Sequence, residues 1–152
     1  MKEELFRELL TKLSNENKND EYKYIGTGNP MSDILIIGKE TAVSVNSEQY
    51  KTETLENFNF WLSNKDYESD NIIERSAQYS PLYPYKGQIL KKNDHKNNWG
   101  TSVTWMNYQK LYNYIFNTPE NEKINFHENS FITEVNSTPS KKTANANTSS
   151  ID

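Results

Sequence analysis

The feature that most constrains this chain is the unbroken apolar run Ile34-Leu35-Ile36-Ile37, which closes at Gly38 after a turn-rich approach through Gly26, Gly28, Asn29, Pro30 and Asp33. A strand with one wet face alternates apolar and polar residues, whereas a strand covered on both faces does not. The run therefore predicts a central, doubly covered strand of a parallel sheet. Ligands of such sheets sit beyond the carboxyl ends of the strands, which draws attention to Gly38-Lys39-Glu40.

The remaining periodicities supply partners for that strand. Leu5, Phe6, Leu9, Leu10 and Leu13 recur at helical spacing among charged residues, predicting an amphipathic helix that ends in the polar run Ser14 to Asp20. Tyr50, Leu55, Phe58, Trp61 and Leu62 predict a second helix over about Ser47 to Ser63. From Asn64 to Gly100 the chain is polar and rich in turn residues, and reads as a long loop. Thr104 is a candidate N-cap for a helix with a core stripe of Trp105, Tyr108, Leu111, Tyr112, Ile115 and Phe116, stopped by Pro119. Phe131 to Val135 reads as a second strand. Two strands joined by a helical crossover form the smallest parallel unit. Two are too few for a stable open sheet, so further strands are expected from a longer parent or from another chain in an oligomer.

Composition narrows the chemistry. Among 152 residues there is no cysteine and there are two histidines, which excludes disulfides and thiolate-held metal centres, and no metal or other cofactor is expected. Charged residues punctuate the first thirteen positions, so that segment is neither a signal peptide nor a membrane span, and the cytoplasm is the expected compartment. The formal net charge of −4 means that any nucleic-acid contact would come from a local basic patch. Tyrosine leads the aromatic residues, which suits half-wet sites built from rings with polar tips.

The order Gly28-Asn29-Pro30-Met31-Ser32-Asp33-Ile34-Leu35-Ile36-Ile37-Gly38-Lys39-Glu40-Thr41-Ala42 is similar to the first motif of the uracil-DNA glycosylase superfamily, in which a polar turn and a hydrophobic strand present a glycine and a catalytic acid or amide. Ser80-Pro81-Leu82-Tyr83-Pro84-Tyr85 resembles that family's proline-aromatic pocket loop, Gly100-Thr101-Ser102 with the Trp105 helix resembles the helix that follows it, and Phe131 to Pro139 resembles the next strand. The resemblance spans Tyr24 to Pro139. It implies a three-layer α/β/α sandwich around a parallel sheet, incomplete in this chain, and hydrolysis of a base–sugar N-glycosidic bond in which a carboxylate steadies a water and the developing positive charge. Glu40 is the implied catalytic acid, although Lys39 sits where some branches carry theirs. Tyr83, Tyr85, Glu134 and Asn136 are the implied base-binding residues, and DNA, a nucleobase or a nucleotide the implied partner. Glu134 stands where the family has an asparagine. An ionised carboxylate only accepts hydrogen bonds, which disfavours uracil and suits the donor-rich edge of guanine or the amino group of cytosine; Asn136, on the same strand face, is the alternative reader. The family's histidine loop has no counterpart, so weak or absent cleavage is expected.

Each of these residues also has a plainer reading. Glu40 could simply begin a helix, stabilised by its dipole. Glu134 could be a solvated edge residue. Tyr83, Tyr85 and Trp99 could pin their loop to the core instead of stacking on a base, and Lys86, Lys91, Lys92 and Lys96 could be solvated instead of contacting phosphate. His95 and His127 read as surface histidines, and Gly26-Thr27-Gly28 as a turn. The expected domain organisation is an N-terminal helix and linker (1–20), a partial glycosylase-like domain (21–139) and a polar disordered tail (140–152). A non-catalytic nucleobase- or nucleotide-binding module and a structural fragment without ligand remain the rival functions.

Overall fold

A computed structural model describes residues 2–16, 24–38, 48–79, 103–119 and 125–135. They form a mixed α/β unit: α1 (Lys2–Glu16), β1 (Thr27–Gly28), β2 (Leu35–Gly38), α2 (Glu48–Lys51), a π-helical turn (Thr52–Glu56), α3 (Asn57–Ser63), α4 (Asp70–Ser76), a 3₁₀ turn (Ala77–Tyr79), α5 (Val103–Phe116), a second 3₁₀ turn (Phe126–Asn129) and β3 (Phe131–Glu134). No helix among the described residues is long and apolar enough to cross a membrane.

The sheet runs β1-β3-β2, with β1 antiparallel and β2 parallel to β3. The parallel pairing across a helical crossover follows the sequence reading, but among the described residues the central strand is β3 and not β2. Successive residues of β3 point to opposite faces. Phe131 enters a core with Phe6, Leu10, Ile25, Phe58, Phe60, Trp61, Tyr67 and Ile72, while Ile132 enters a second core with Ala77, Trp105 and Phe126. Strand β2 lies at the edge among the described residues, and Leu35 and Ile37 are each 57% exposed. The apolar run encodes burial potential; it carries no information about how many neighbours the strand finds.

The first core is assembled from aromatic edges. Phe6 meets Trp61, Tyr67 and Phe131 in T-shaped contacts with centroids 5.1–5.6 Å apart. Of the apolar positions on α1, Phe6 and Leu10 are buried and Leu13 packs against them, whereas Leu5 and Leu9 are 59% and 47% exposed. The second helix departs further from its expected stripe. The π turn inserts a residue into the helical repeat and rotates the turns C-terminal to it. Glu53, Thr54 and Asn57 are thereby buried with Phe58, Phe60 and Trp61, and Leu62 is left 40% exposed. Asn57 bridges strands to helix: its Oδ1 accepts from the Ile25 and Gly26 amides, and its Nδ2 donates to the carbonyls of Gly26 and Tyr79.

Two readings of local structure are corrected. In the Gly26-Thr27-Gly28 segment, expected as a turn, Thr27 and Gly28 form the short strand β1, held by the Ser76 hydroxyl, which accepts from the Gly28 amide at 2.8 Å and lies 3.1 Å from Thr27 Oγ1. The stretch expected as loop from Asn64 contains α4, which buries Ile72 and Ile73 and carries Ser76. Its seven residues are too short to show a period.

Helix α5 begins at Val103, so Thr104 lies inside it and is not the cap. It ends where Asn117 takes φ 49°, and the Thr118 amide then donates to Asn113 O. Its expected core stripe is only half buried: Trp105 is fully enclosed, but Leu111, Ile115 and Phe116 are 45–48% exposed. The buried line is Trp105, Gln109 and Asn113. Gln109 Oε1 accepts from the amides of Asn125 and Phe126, and its Nε2 donates to Asn113 Oδ1 and Asn125 Oδ1, clamping the turn before β3 onto the helix. Polarity hid this face from the periodicity.

Candidate functional site

Ile34, Ile36, Tyr108, Tyr112, Ile115 and Ser130 line a groove between α5 and the sheet, and Tyr112 Oη accepts from Asn129 Nδ2. Trp105 and Tyr108, on the earlier turns of α5, pack edge-on against Phe126 in the turn before β3.

At the carboxyl ends of β2 and β3 the register pairs Gly38 with Glu134. The Glu134 carboxylate occupies the space that a side chain at residue 38 would need. A Cβ on Gly38 would overlap Oε2 and come within 2.7 Å of the carboxylate carbon and Oε1. Glycine at 38 is thus what allows Glu134 to lie across the end of β2. Glu134 is half-buried and its Oε2 is shielded from water. This differs from a solvated edge residue. By alternation Glu134 shares its face with Ile132 and Ile36, the face covered by α5.

Tyr108 completes the described part of the site. Burial pushes its phenol above the usual tyrosine value, and the neighbouring Glu134 carboxylate pushes it further in the same direction. Tyr108 thus stays a neutral donor throughout the physiological range. A group whose folded value is raised contributes stability fully present below its unfolded value, about 10, and lost as pH rises through the folded value. Tyr67 is raised by burial as well and acts in the same alkaline window. We expect ultraviolet titration to show late-ionising phenols, one of which disappears in Tyr108→Phe. Normal titration of every tyrosine in the native protein would contradict the burial of both rings.

Of the residues expected to form a site, Glu134 is described, whereas Glu40, Tyr83, Tyr85 and Asn136 lie outside the described residues. So do Lys39, Trp99, His95 and the four lysines from Lys86 to Lys96. His127 is corrected: it is 4% exposed, packed edge-on against Phe126 with ring centroids 5.8 Å apart, and its carbonyl accepts from the Asn29 amide. A histidine in polar sequence looks solvated; here the 3₁₀ turn rolls it inward.

No family model, curated protein or solved structure matches this chain. The chemistry of the site therefore rests on its own geometry. A half-buried carboxylate at the shared carboxyl end of two parallel strands is a hydrogen-bond acceptor, and a neutral phenol on the same side of the sheet is a donor. Sequence reasoning misses Tyr108 because its helical spacing matches that of a core residue. The same reasoning takes Gly38 for a strand terminator, and only the register across the sheet shows which side chain fills the space above it.

Proposed function

We propose that this chain binds a nucleobase or nucleotide at the carboxyl ends of β2 and β3, in a three-layer α/β/α domain of the uracil-DNA glycosylase kind. The observation that carries the proposal is the Glu134 carboxylate lying across Gly38 on the sheet face covered by α5. The layered architecture is supported by α1 and α3 packing on the Phe131 side of the sheet and α5 on the Ile132 side. On this reading the protein works in the cytoplasm, on DNA or on a free base or nucleotide. Hydrolysis of the N-glycosidic bond through Glu40 is the ancestral chemistry, with Tyr83, Tyr85 and Asn136 as the other base contacts. The sequence offers no counterpart of the family's histidine loop, so binding without efficient cleavage is the expected behaviour.

Glu134 sets the specificity. A carboxylate accepts and does not donate, so it favours the adjacent N–H groups of guanine or the amino group of cytosine over the carbonyl edge of uracil. Calorimetry with guanosine, cytidine, adenosine and uridine should show binding of the first two and little of uridine. Loss of a charge-assisted pair costs about 1.5–3 kcal/mol, so Glu134→Gln should weaken guanosine binding roughly 10- to 100-fold. Gly38→Ala should do the same at little cost in stability, because the group it displaces is the tip of a flexible side chain. Glu134→Asn should shift preference towards uridine. Unchanged selectivity in Glu134→Asn would remove Glu134 from the site, and absence of nucleoside binding to the native chain would leave the structural reading in place of this one.

A further inference from the structure

We propose that the open edge of β2 is a self-association surface, pairing antiparallel with β2 of a second copy of this chain about a two-fold axis normal to the sheet. Three layers of the molecule are apolar towards this edge. In the sheet, β2 pairs with β3 alone among the described residues, and Leu35 and Ile37 are each 57% exposed. On one side stands α1. Lys2, near the Leu5–Leu9 flank of that helix, donates to the carbonyls of Met31 and Ser32 and pairs with Asp33, just before β2. Arg7, on the opposite flank, reaches the Lys65 carbonyl and stacks on Tyr67. Leu5 and Leu9, 59% and 47% exposed, therefore face the β2 side. On the other side stands α5, whose Leu111 and Ile115 line a groove with Ile34 and Ile36 while 46% and 48% exposed.

A lone exposed leucine needs no explanation, but a contiguous apolar wall beside an unpaired strand edge marks an interaction surface. The choice of a second copy follows from symmetry and charge. A two-fold axis normal to the sheet keeps each face continuous, so α1 meets its counterpart and α5 meets its own: apolar faces apolar in every layer. Centred on Ile36, the pairing sets Leu35 opposite Ile37. In the sequence an acid, Asp33, precedes the strand and a base, Lys39, follows it, a charge order that suits antiparallel pairing of two copies. The Asp33 carboxylate, paired with Lys2, is 94% exposed.

The test is the mass of the purified chain by sedimentation and light scattering over a dilution series. A dimer is expected. Ile37→Lys and Leu111→Lys should each halve the mass with unchanged far-ultraviolet circular dichroism, since both positions are exposed and neither belongs to a core. The chain has no cysteine, so Ile36→Cys introduces a single thiol at the two-fold axis, and two such thiols should be joined as an intermolecular disulfide when dissolved oxygen is supplied as the oxidant. Asn71→Cys, on α4 beside the opposite edge strand β1, should not. A monomer at every concentration, a dimer that survives both lysine variants, an open series of larger species, or equal cross-linking from residue 71 would each overturn the proposal.

Discussion

Alanine at Gly28 is expected to unfold the protein or remove about 3–5 kcal/mol of its stability, summing the strain of a left-handed residue and the cost of overpacking. Gly28 has φ 95°, a conformation that side chains rarely adopt, and a Cβ there would overlap the Ser130 carbonyl oxygen and lie 3.0 Å from that of His127. Both carbonyls are backbone atoms held in place, because each accepts from the Asn29 amide, at 2.9 and 3.0 Å respectively. Neither can retreat without breaking the join between β1 and the turn before β3. Native stabilities are roughly 5–15 kcal/mol in total, so this one methyl group takes a large share. Urea denaturation followed by circular dichroism reads the effect. An unshifted midpoint would mean that β1 does not approach residues 127–130 this closely.

The second large effect is expected at Trp61. Its ring is fully buried and touches Phe6, Phe60 and Phe131 edge-on with centroids 5.1–5.7 Å apart. Truncation to alanine opens a cavity at the centre of the larger core and should cost about 3–5 kcal/mol. The indole also donates to the Gly26 carbonyl at 2.8 Å, but Asn57 Nδ2 donates to the same oxygen at 2.9 Å. The carbonyl keeps a partner when the indole is removed. The loss is therefore one of packing, and Trp61→Phe should recover more than half of it. Equal destabilisation by phenylalanine and alanine would transfer the weight to the indole hydrogen bond.

The contrast between these two sites shows what is legible in the sequence. Trp61 is visible because an aromatic residue at helical spacing beside Phe58 announces a core face. Gly28 is visible only as a turn residue, since its partners at 127–130 are about a hundred positions away. The same distinction runs through the fold. The extent of α1, the body of α5 and β3 follow from local pattern, and so does the parallel pairing across a crossover. The rank of β2 within the sheet does not, because a run of isoleucines looks the same at an edge and at a centre. The π turn is illegible for a different reason: it breaks the period from which its own helix is read, and so hides the burial of Glu53 and Asn57. On α5, the polar clamp of Gln109 and Asn113 takes positions that a hydrophobic stripe would claim.

At the site, Glu134 stands out because an acid ends a strand otherwise apolar and β-branched. Its setting does not. That the carboxylate lies over Gly38 is a fact of register across the sheet. On the proposed reading this arrangement ties the apolar run at 34–37 to ligand binding, because the same glycine that closes the strand makes room for the group that would read a ligand.

Ligand reading by Glu134 above Gly38 is tested most directly by the amide chemical shifts of the ¹⁵N-labelled native chain during titration with guanosine and, separately, uridine. Guanosine is expected to move the resonances of Gly38, Thr133, Glu134 and Tyr108 together, with uridine leaving them in place. Guanosine shifts confined to other residues, or none at Gly38 and Glu134 at saturating ligand, would contradict it.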